Sequence, residues 1–392
     1  MLLDRWETSL LLWLSLPYIA FALPPSNNGD PFFAPQSSGS DQAKTTAFIP
    51  VQEVDYHWVA NVSIGGQEVL LCIDTGSSPL WVSTQAGNSN GRVYAVDKSP
   101  TAKPLPDEKF NINFPHASAS GIVVEDTLAL SSRSVVLKDF ALGVVDQSSG
   151  ISEPTFDGFI GLGFRGSSPD KGILDSTPTF FESLMPNLQS PIFALDFSTK
   201  TSDRKGPSMK FGGIDPTKFH GQLASTPIDR STNRWTAKDI TFSIRGEQMD
   251  ESADMSFDTG GGNHIYAPLS ITSAYYSQIP DLDMRWSSNL GGNNCTIVIP
   301  CTSQLPDLEM HIGNGTARIR SEHMMGESLT GPANPAWSLG YGNLCVPTLQ
   351  PGGGPYPGRN CLGLLLVGAP FFHENYVVFN QAEPSMSYAP YV

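Results

Sequence analysis

Two short segments carry the residues whose types and spacing could do chemistry. Leu71-Cys72-Ile73-Asp74-Thr75-Gly76-Ser77-Ser78 is echoed by Met255-Ser256-Phe257-Asp258-Thr259-Gly260-Gly261, with the two Asp 184 residues apart. An Asp at the end of an apolar strand is costly to ionise unless its surroundings satisfy it. The Thr behind it can hydrogen-bond a neighbouring backbone, and Gly allows close backbone approach. A symmetric pair of such loops brings two carboxylates face to face. Two close carboxylates do not both ionise readily, so one holds a proton while the other is charged. The charged member can act as general base on a shared water. The protonated one can polarise a carbonyl and later protonate a leaving amine. A single Asp-Thr-Gly would read as a turn; a pair in matching contexts points to this chemistry.

Strands must position those loops. Short apolar runs bounded by Gly, Pro, Asn and Asp recur from Phe48 onward, among them Trp58–Ile64, Glu68–Ile73, Gly121–Leu130, Val135–Val145, Ile192–Phe197 and Ile240–Ile244. Such spacing predicts an all-β architecture. The 37 Gly and 32 Pro exceed an average joint usage of roughly 12 % and point the same way. Few windows hold a helical period; Thr179–Met185 and Ile271–Gln278 are the better candidates, each about two turns long. The repeat extends beyond the Asp loops. Each is followed, some ninety to a hundred residues later, by an apolar run ending in Gly: Phe159-Ile160-Gly161-Leu162-Gly163 and Leu364-Leu365-Leu366-Val367-Gly368. Two similar lobes, each contributing one loop, fit this pattern.

Composition excludes several classes. The net charge is −15, from 38 acidic and 23 basic residues, and no run of Lys or Arg exceeds two. Binding to nucleic acid or to anionic lipid through a basic patch is therefore not expected. Few positive charges also mean little positive self-repulsion in acid. Leu10–Leu16 is an apolar run too short to span a bilayer. Ala20-Phe21-Ala22 follows it in the arrangement of a signal-peptidase site, predicting a secreted, extracellular protein with no transmembrane segment. Sequons stand at Asn61, Asn294 and Asn314. Of the five Cys, Cys72 lies in a strand-like apolar run and reads as a core thiol. Cys295, Cys301, Cys345 and Cys361 could form two disulfides on oxidation. The seven His are scattered, with neither CxxC nor HExxH, so no metal site and no cofactor is expected. The absence of G-x-S-x-G argues against a Ser-His-Asp hydrolase, and His264 reads as a loop side chain.

In combination the motifs resemble the pepsin-like aspartic proteases, and fungal secreted members most. Asp74-Thr75-Gly76-Ser77-Ser78-Pro79-Leu80-Trp81-Val82 is similar to that family's first active-site segment. Phe156-Asp157-Gly158-Phe159-Ile160-Gly161-Leu162-Gly163, Phe211-Gly212-Gly213-Ile214-Asp215, Leu305-Pro306-Asp307-Leu308 and Val377-Val378-Phe379-Asn380 extend the match from about Phe48 to Val392. The resemblance implies a bilobal β fold with a cleft between the lobes. It implies a monomeric endopeptidase favoured in acid, acting on polypeptide substrates. Asp74 and Asp258 would form the dyad, supported by Thr75, Gly76, Ser77, Thr259 and Gly260. It divides the chain into a signal peptide (1–22), a flexible pro-like segment (23–47), an N-terminal lobe (48–225) and a C-terminal lobe (226–392). The family's late disulfide maps onto Cys301 and Cys345, which leaves Cys295 and Cys361 as the second pair.

Departures from that pattern fall near the expected chemistry. Phe114 stands where the family flap carries a Tyr that hydrogen-bonds the Trp, and Pro115-His116-Ala117 replaces a Gly-rich tip. Phe has no hydrogen bond to offer. Asp258-Thr259-Gly260 is followed by Gly261, so the donor that Ser77 offers Asp74 has no counterpart. Losing one charge-assisted bond is worth roughly 1.5–3 kcal/mol, or about ten- to a hundredfold in rate if it is felt wholly in the transition state. Residues 23–47 hold one basic residue, Lys44, where family zymogens carry a basic segment, and Ala369 replaces an Asp common in relatives. These features support an alternative: a catalytically weak or inactive protein of the same fold acting as a secreted binding module.

Overall fold

The computed structural model of the chain describes residues 44–84, 92–114, 117–130, 135–149, 155–167, 173–198, 206–287, 295–329, 343–357 and 361–392. The expected signal peptide, residues 23–43 of the segment after it, Pro115, His116 and Asn294 lie outside the described residues. The last residues of the 23–47 segment already belong to the fold. The Thr45 N–H donates to Asn187 O (2.9 Å), and Ala47 is buried and paired with Phe211.

Strands dominate, in the places where the apolar runs stand. An eight-stranded sheet runs in the order Gln52–Val54, His57–Ile64, Gln67–Asp74, Gly158–Gly161, Leu80–Ser83, Val136–Ser149, Ala117–Leu130 and Lys103–Phe114. It curls until His57–Ile64 also pairs with Ala117–Leu130, which protects edges that would otherwise be open. The later half of the chain forms a seven-stranded sheet, including Thr236–Ile244, Glu247–Phe257 and Leu366–Val367, and a smaller four-stranded one. A six-stranded sheet joins the two halves. Ala47–Pro50, Ser208–Phe211 and Ile192–Asp196 come from the first, and Asn375–Asn380, Ser385–Pro390 and Ala224–Pro227 continue the row. The architecture is thus all-β and two-lobed, as the repeat requires.

The two helical windows are helices. Phe180–Leu184 starts at Thr179, whose hydroxyl accepts from the Glu182 N–H (3.3 Å), while the Glu182 carboxylate accepts from the Thr179 N–H (2.9 Å). This reciprocal cap stabilises a helix too short to persist alone. Leu269–Ser277 is the second.

Strand Gln67–Asp74 is buried without interruption from Val69 to Asp74, because both its faces are covered. Trp235 lies under the junction of the lobes. Its ring packs on Phe164 (4.2 Å between centroids), Phe379 (4.7 Å) and Phe193 (5.7 Å), and its Nε1 donates to Leu162 O (2.9 Å). One side chain thereby ties the apolar Gly segment of the first lobe to the joining sheet.

Candidate active site

The sequence repeat is a repeat of local geometry. Asp74 ends its strand in parallel register with Gly161, and its carbonyl accepts from the Leu162 N–H (2.7 Å). Asp258 follows Glu247–Phe257, which runs parallel to Leu366–Val367, and its N–H donates to Val367 O (3.0 Å). In each lobe the apolar Gly run therefore supports the strand that delivers the Asp.

The two loops clasp each other through their Thr residues. The Thr75 N–H donates to Thr259 Oγ1 (3.1 Å), and the Thr259 N–H donates to Thr75 Oγ1 (3.0 Å). Each hydroxyl then donates across the junction, Thr75 to Phe257 O (2.8 Å) and Thr259 to Ile73 O (2.6 Å). Both Thr are fully buried, so the four bonds also satisfy groups that would otherwise cost about 1–3 kcal/mol each. Close approach needs glycine. A Cβ at Gly260 would lie 2.6 Å from Asp74 Oδ1, and one at Gly76 would collide with the Asp258 carboxylate.

The carboxylates are both buried but unequally served. Asp74 is 4 % exposed and Asp258 8 %. Asp74 accepts from the Gly76 N–H (2.7 Å) and from the Ser77 hydroxyl. Asp258 accepts from the Gly260 N–H (2.9 Å), and Gly261 gives it no side-chain donor. Burial first, and then the neighbouring Asp74 charge, raises the Asp258 carboxyl well above the usual carboxylate range; the Arg234 cation and the Gly260 N–H pull the other way. Burial and the neighbouring charge favour the proton on Asp258, beside an Asp74 carboxylate that has the larger share of donors. The arrangement supplies one proton acceptor and one donor at a single point.

A sequence profile described as "Asp: Eukaryotic aspartyl protease" matches residues 57–391. The chain belongs to this family. It is 29 % identical over 342 residues to penicillopepsin-1 of Penicillium janthinellum, covering 86 % of this chain and 95 % of that one. It is 28 % identical over 366 residues to endothiapepsin of Cryphonectria parasitica (91 % and 79 %). A probable aspartic-type endopeptidase of Trichophyton verrucosum is 28 % identical over 349 residues (86 % and 75 %). The crystal structure of an aspartic proteinase from Irpex lacteus shares the fold, with a TM-score of 0.67 at 19 % identity, over 88 % of this chain and 98 % of that one.

In this member of the family the strands Lys103–Phe114 and Ala117–Leu130 pair antiparallel, with Phe114 opposite Ala117. The Phe114 ring faces Phe159 (5.9 Å), which in turn faces Trp81 (5.1 Å), in one apolar cluster with Phe110. Trp81 is buried, and its Nε1 has no hydrogen-bond partner among the described residues.

The remaining sequence expectations fall at the periphery. Cys301 is bonded to Cys345 and Cys295 to Cys361, while Cys72 is a buried free thiol. Asn61 and Asn314 are exposed; Asn61 Oδ1 accepts from Arg92 and Asn314 Oδ1 from the Ser225 N–H. Two groupings have no signal in the sequence. Arg234 reaches the first Asp loop across 158 residues. Glu322, His323 and Glu374 converge at the surface, but Arg320 already bonds both acids, at 2.8 Å each, so their charge is spent on a cation.

Proposed function

We propose that this chain is a secreted aspartic endopeptidase that hydrolyses peptide bonds of polypeptide substrates, favoured at acid pH. Asp74, which accepts from the Gly76 N–H and the Ser77 hydroxyl, is the general base that takes a proton from a water between the carboxylates. Asp258, protonated, polarises the scissile carbonyl and then protonates the leaving amine. Thr75, Gly76, Thr259 and Gly260 position the pair, Ser77 tunes Asp74, and Phe114 covers the cleft. The observation that carries this reading is the reciprocal Thr75–Thr259 clasp, which holds two buried carboxylates in contact with unequal donors. A dyad that contains both acid and base asks for no cofactor. Two disulfides suit an oxidising compartment, in keeping with the leader at residues 1–22. Among the described residues no helix is long and apolar enough to cross a membrane.

The test is digestion of denatured haemoglobin from about pH 3 to 7 by the protein lacking residues 1–22, with Asp74→Asn alongside. Cleavage in acid that disappears in the variant is the expected result. Folded, monodisperse protein that cleaves nothing would instead assign the chain to the binding-module reading, in which the missing donor on Asp258 has disabled the dyad.

A further inference from the structure

Arg234 brings to the dyad a charge that the acid–base scheme does not use. It follows the short turn Arg230–Thr232 and precedes the buried Trp235. Its N–H donates to Thr232 Oγ1 (3.2 Å) and its carbonyl accepts from the Thr236 N–H (2.9 Å), so its backbone is held on both sides. The half-buried side chain reaches the first Asp loop, where Nη1 donates to Gly76 O over a long 3.4 Å. Gly76 is the residue packed against the Asp258 carboxylate. The guanidinium is close enough to Asp258 to favour its charged form.

This cation has no dedicated counter-ion. Arg165, Arg285, Arg318 and Arg320 each form an ion pair with an Asp or Glu; among the described residues Arg234 forms none, nor do Arg230 and Arg245, but those two are exposed and Arg234 is partly buried. Partial burial of an unpaired cation is unfavourable. A guanidinium presents five donors in a planar fork suited to a carboxylate, and one long bond to a carbonyl uses only part of it. The Thr232–Trp235 segment thus holds a charged, under-used fork beside the reacting carboxylates.

We propose that Arg234 is a specificity-determining residue that binds an Asp or Glu side chain of the substrate within a few residues of the scissile bond. The proposal rests on the reading of the dyad as a peptide-hydrolysing site. Wild-type protein, Arg234→Gln and Arg234→Lys are given fluorescent peptides paired as Glu or Gln at each of three positions on either side of the cleaved bond. At pH 5.5 wild type should prefer Glu at one of these positions by about ten- to a hundredfold in kcat/KM, the range of a charge-assisted hydrogen bond. The ratio should fall toward one at pH 3, where the substrate carboxylate is protonated. Arg234→Gln should show a ratio near one at both pH values, and Arg234→Lys should restore part of the preference. No Glu preference in wild type, or a preference that survives Arg234→Gln, overturns the proposal. If no peptide is cleaved, hydrolysis fails as a reading. Affinities of the same peptide pairs for the folded protein, by fluorescence anisotropy, then decide the role of Arg234. Tighter Glu binding lost in Arg234→Gln supports it, and equal affinities overturn it.

Discussion

Replacing Gly261 with Ser adds a donor to the carboxylate that lacks one. A Cβ built at Gly261 lies 3.6 Å from Asp258 Cγ, so a hydroxyl one bond further can reach a carboxylate oxygen, as Ser77 reaches Asp74. The backbone permits the change, since Gly261 is not among the residues with positive φ. The obstacle is Leu366 Cδ1 at 2.8 Å, the end of a side chain that can shift at about 0.5–1.5 kcal/mol. That steric cost is shared by Gly261→Ala, which makes Ala the control. The new bond acts on rate only through the difference between its strength to neutral and to charged Asp258. A neutral bond is worth about 1 kcal/mol and a bond to a charged group about 1.5–3. The difference, about 0.5–2 kcal/mol, corresponds to roughly two- to thirtyfold in kcat. The hydroxyl also favours ionised Asp258, so the alkaline limb of the rate profile should move to lower pH. The assay is kcat against pH from 3 to 8 on one quenched fluorescent peptide, for wild type, Gly261→Ser and Gly261→Ala. A Ser variant no faster than the Ala variant, with an unmoved alkaline limb, would refute the view that the missing hydroxyl limits this dyad.

Two further outcomes test the electrostatics and the flap. Burial and the Asp74 charge raise Asp258, so the folded state keeps this proton to higher pH than the unfolded chain does. The resulting stability is complete below the unfolded value of roughly 3.9 and is lost as pH rises through the raised value, at about 1.4 kcal/mol per unit. Asp258→Asn should therefore match wild type most closely near pH 4 and gain in Tm relative to it toward pH 8; a pH-independent difference in calorimetry contradicts the assignment. Phe114→Tyr should answer the unpartnered Trp81 Nε1 and raise stability by about 1 kcal/mol. A lower urea midpoint would show instead that the apolar contact with Phe159 is what the position requires.

What the sequence disclosed follows from how local each signal is. The Asp loops, the apolar Gly runs and the two short helices are written in contiguous residues, and all are found where the patterns lie. The continuous burial of Val69–Ile73 is likewise legible as an unbroken apolar run. The joining sheet is not. Its pairing of Ile192–Asp196 with Asn375–Asn380 joins segments about half the chain apart, and neither strand names its partner. Arg234 was silent for the same reason. An Arg in a polar turn has no distinction until folding places it against Gly76. The unpaired indole was half legible: the sequence shows that Phe114 offers no hydrogen bond, and only the packed cluster shows that no described residue answers Trp81 Nε1.

The departures around Asp258 oppose one another. Gly261 withholds a donor that would favour the charged form, and Arg234 supplies a cation that favours it. A unit charge a few ångströms away, at the effective dielectric of a protein site, contributes on the order of a few kcal/mol, the same scale as the absent bond. Arg234 can therefore offset part of what Gly261 removes, by field rather than by contact. The offset is conditional, because an acidic substrate side chain on Arg234 neutralises the cation while it is bound. Asp258 then holds its proton more tightly in the complex than in the free protein. By reciprocity, protein with Asp258 protonated binds an acidic peptide more tightly than protein with Asp258 ionised. Preference for acidic substrates and retention of the catalytic proton thus become one coupled property, set by a single arginine beside a carboxylate that lacks its hydroxyl.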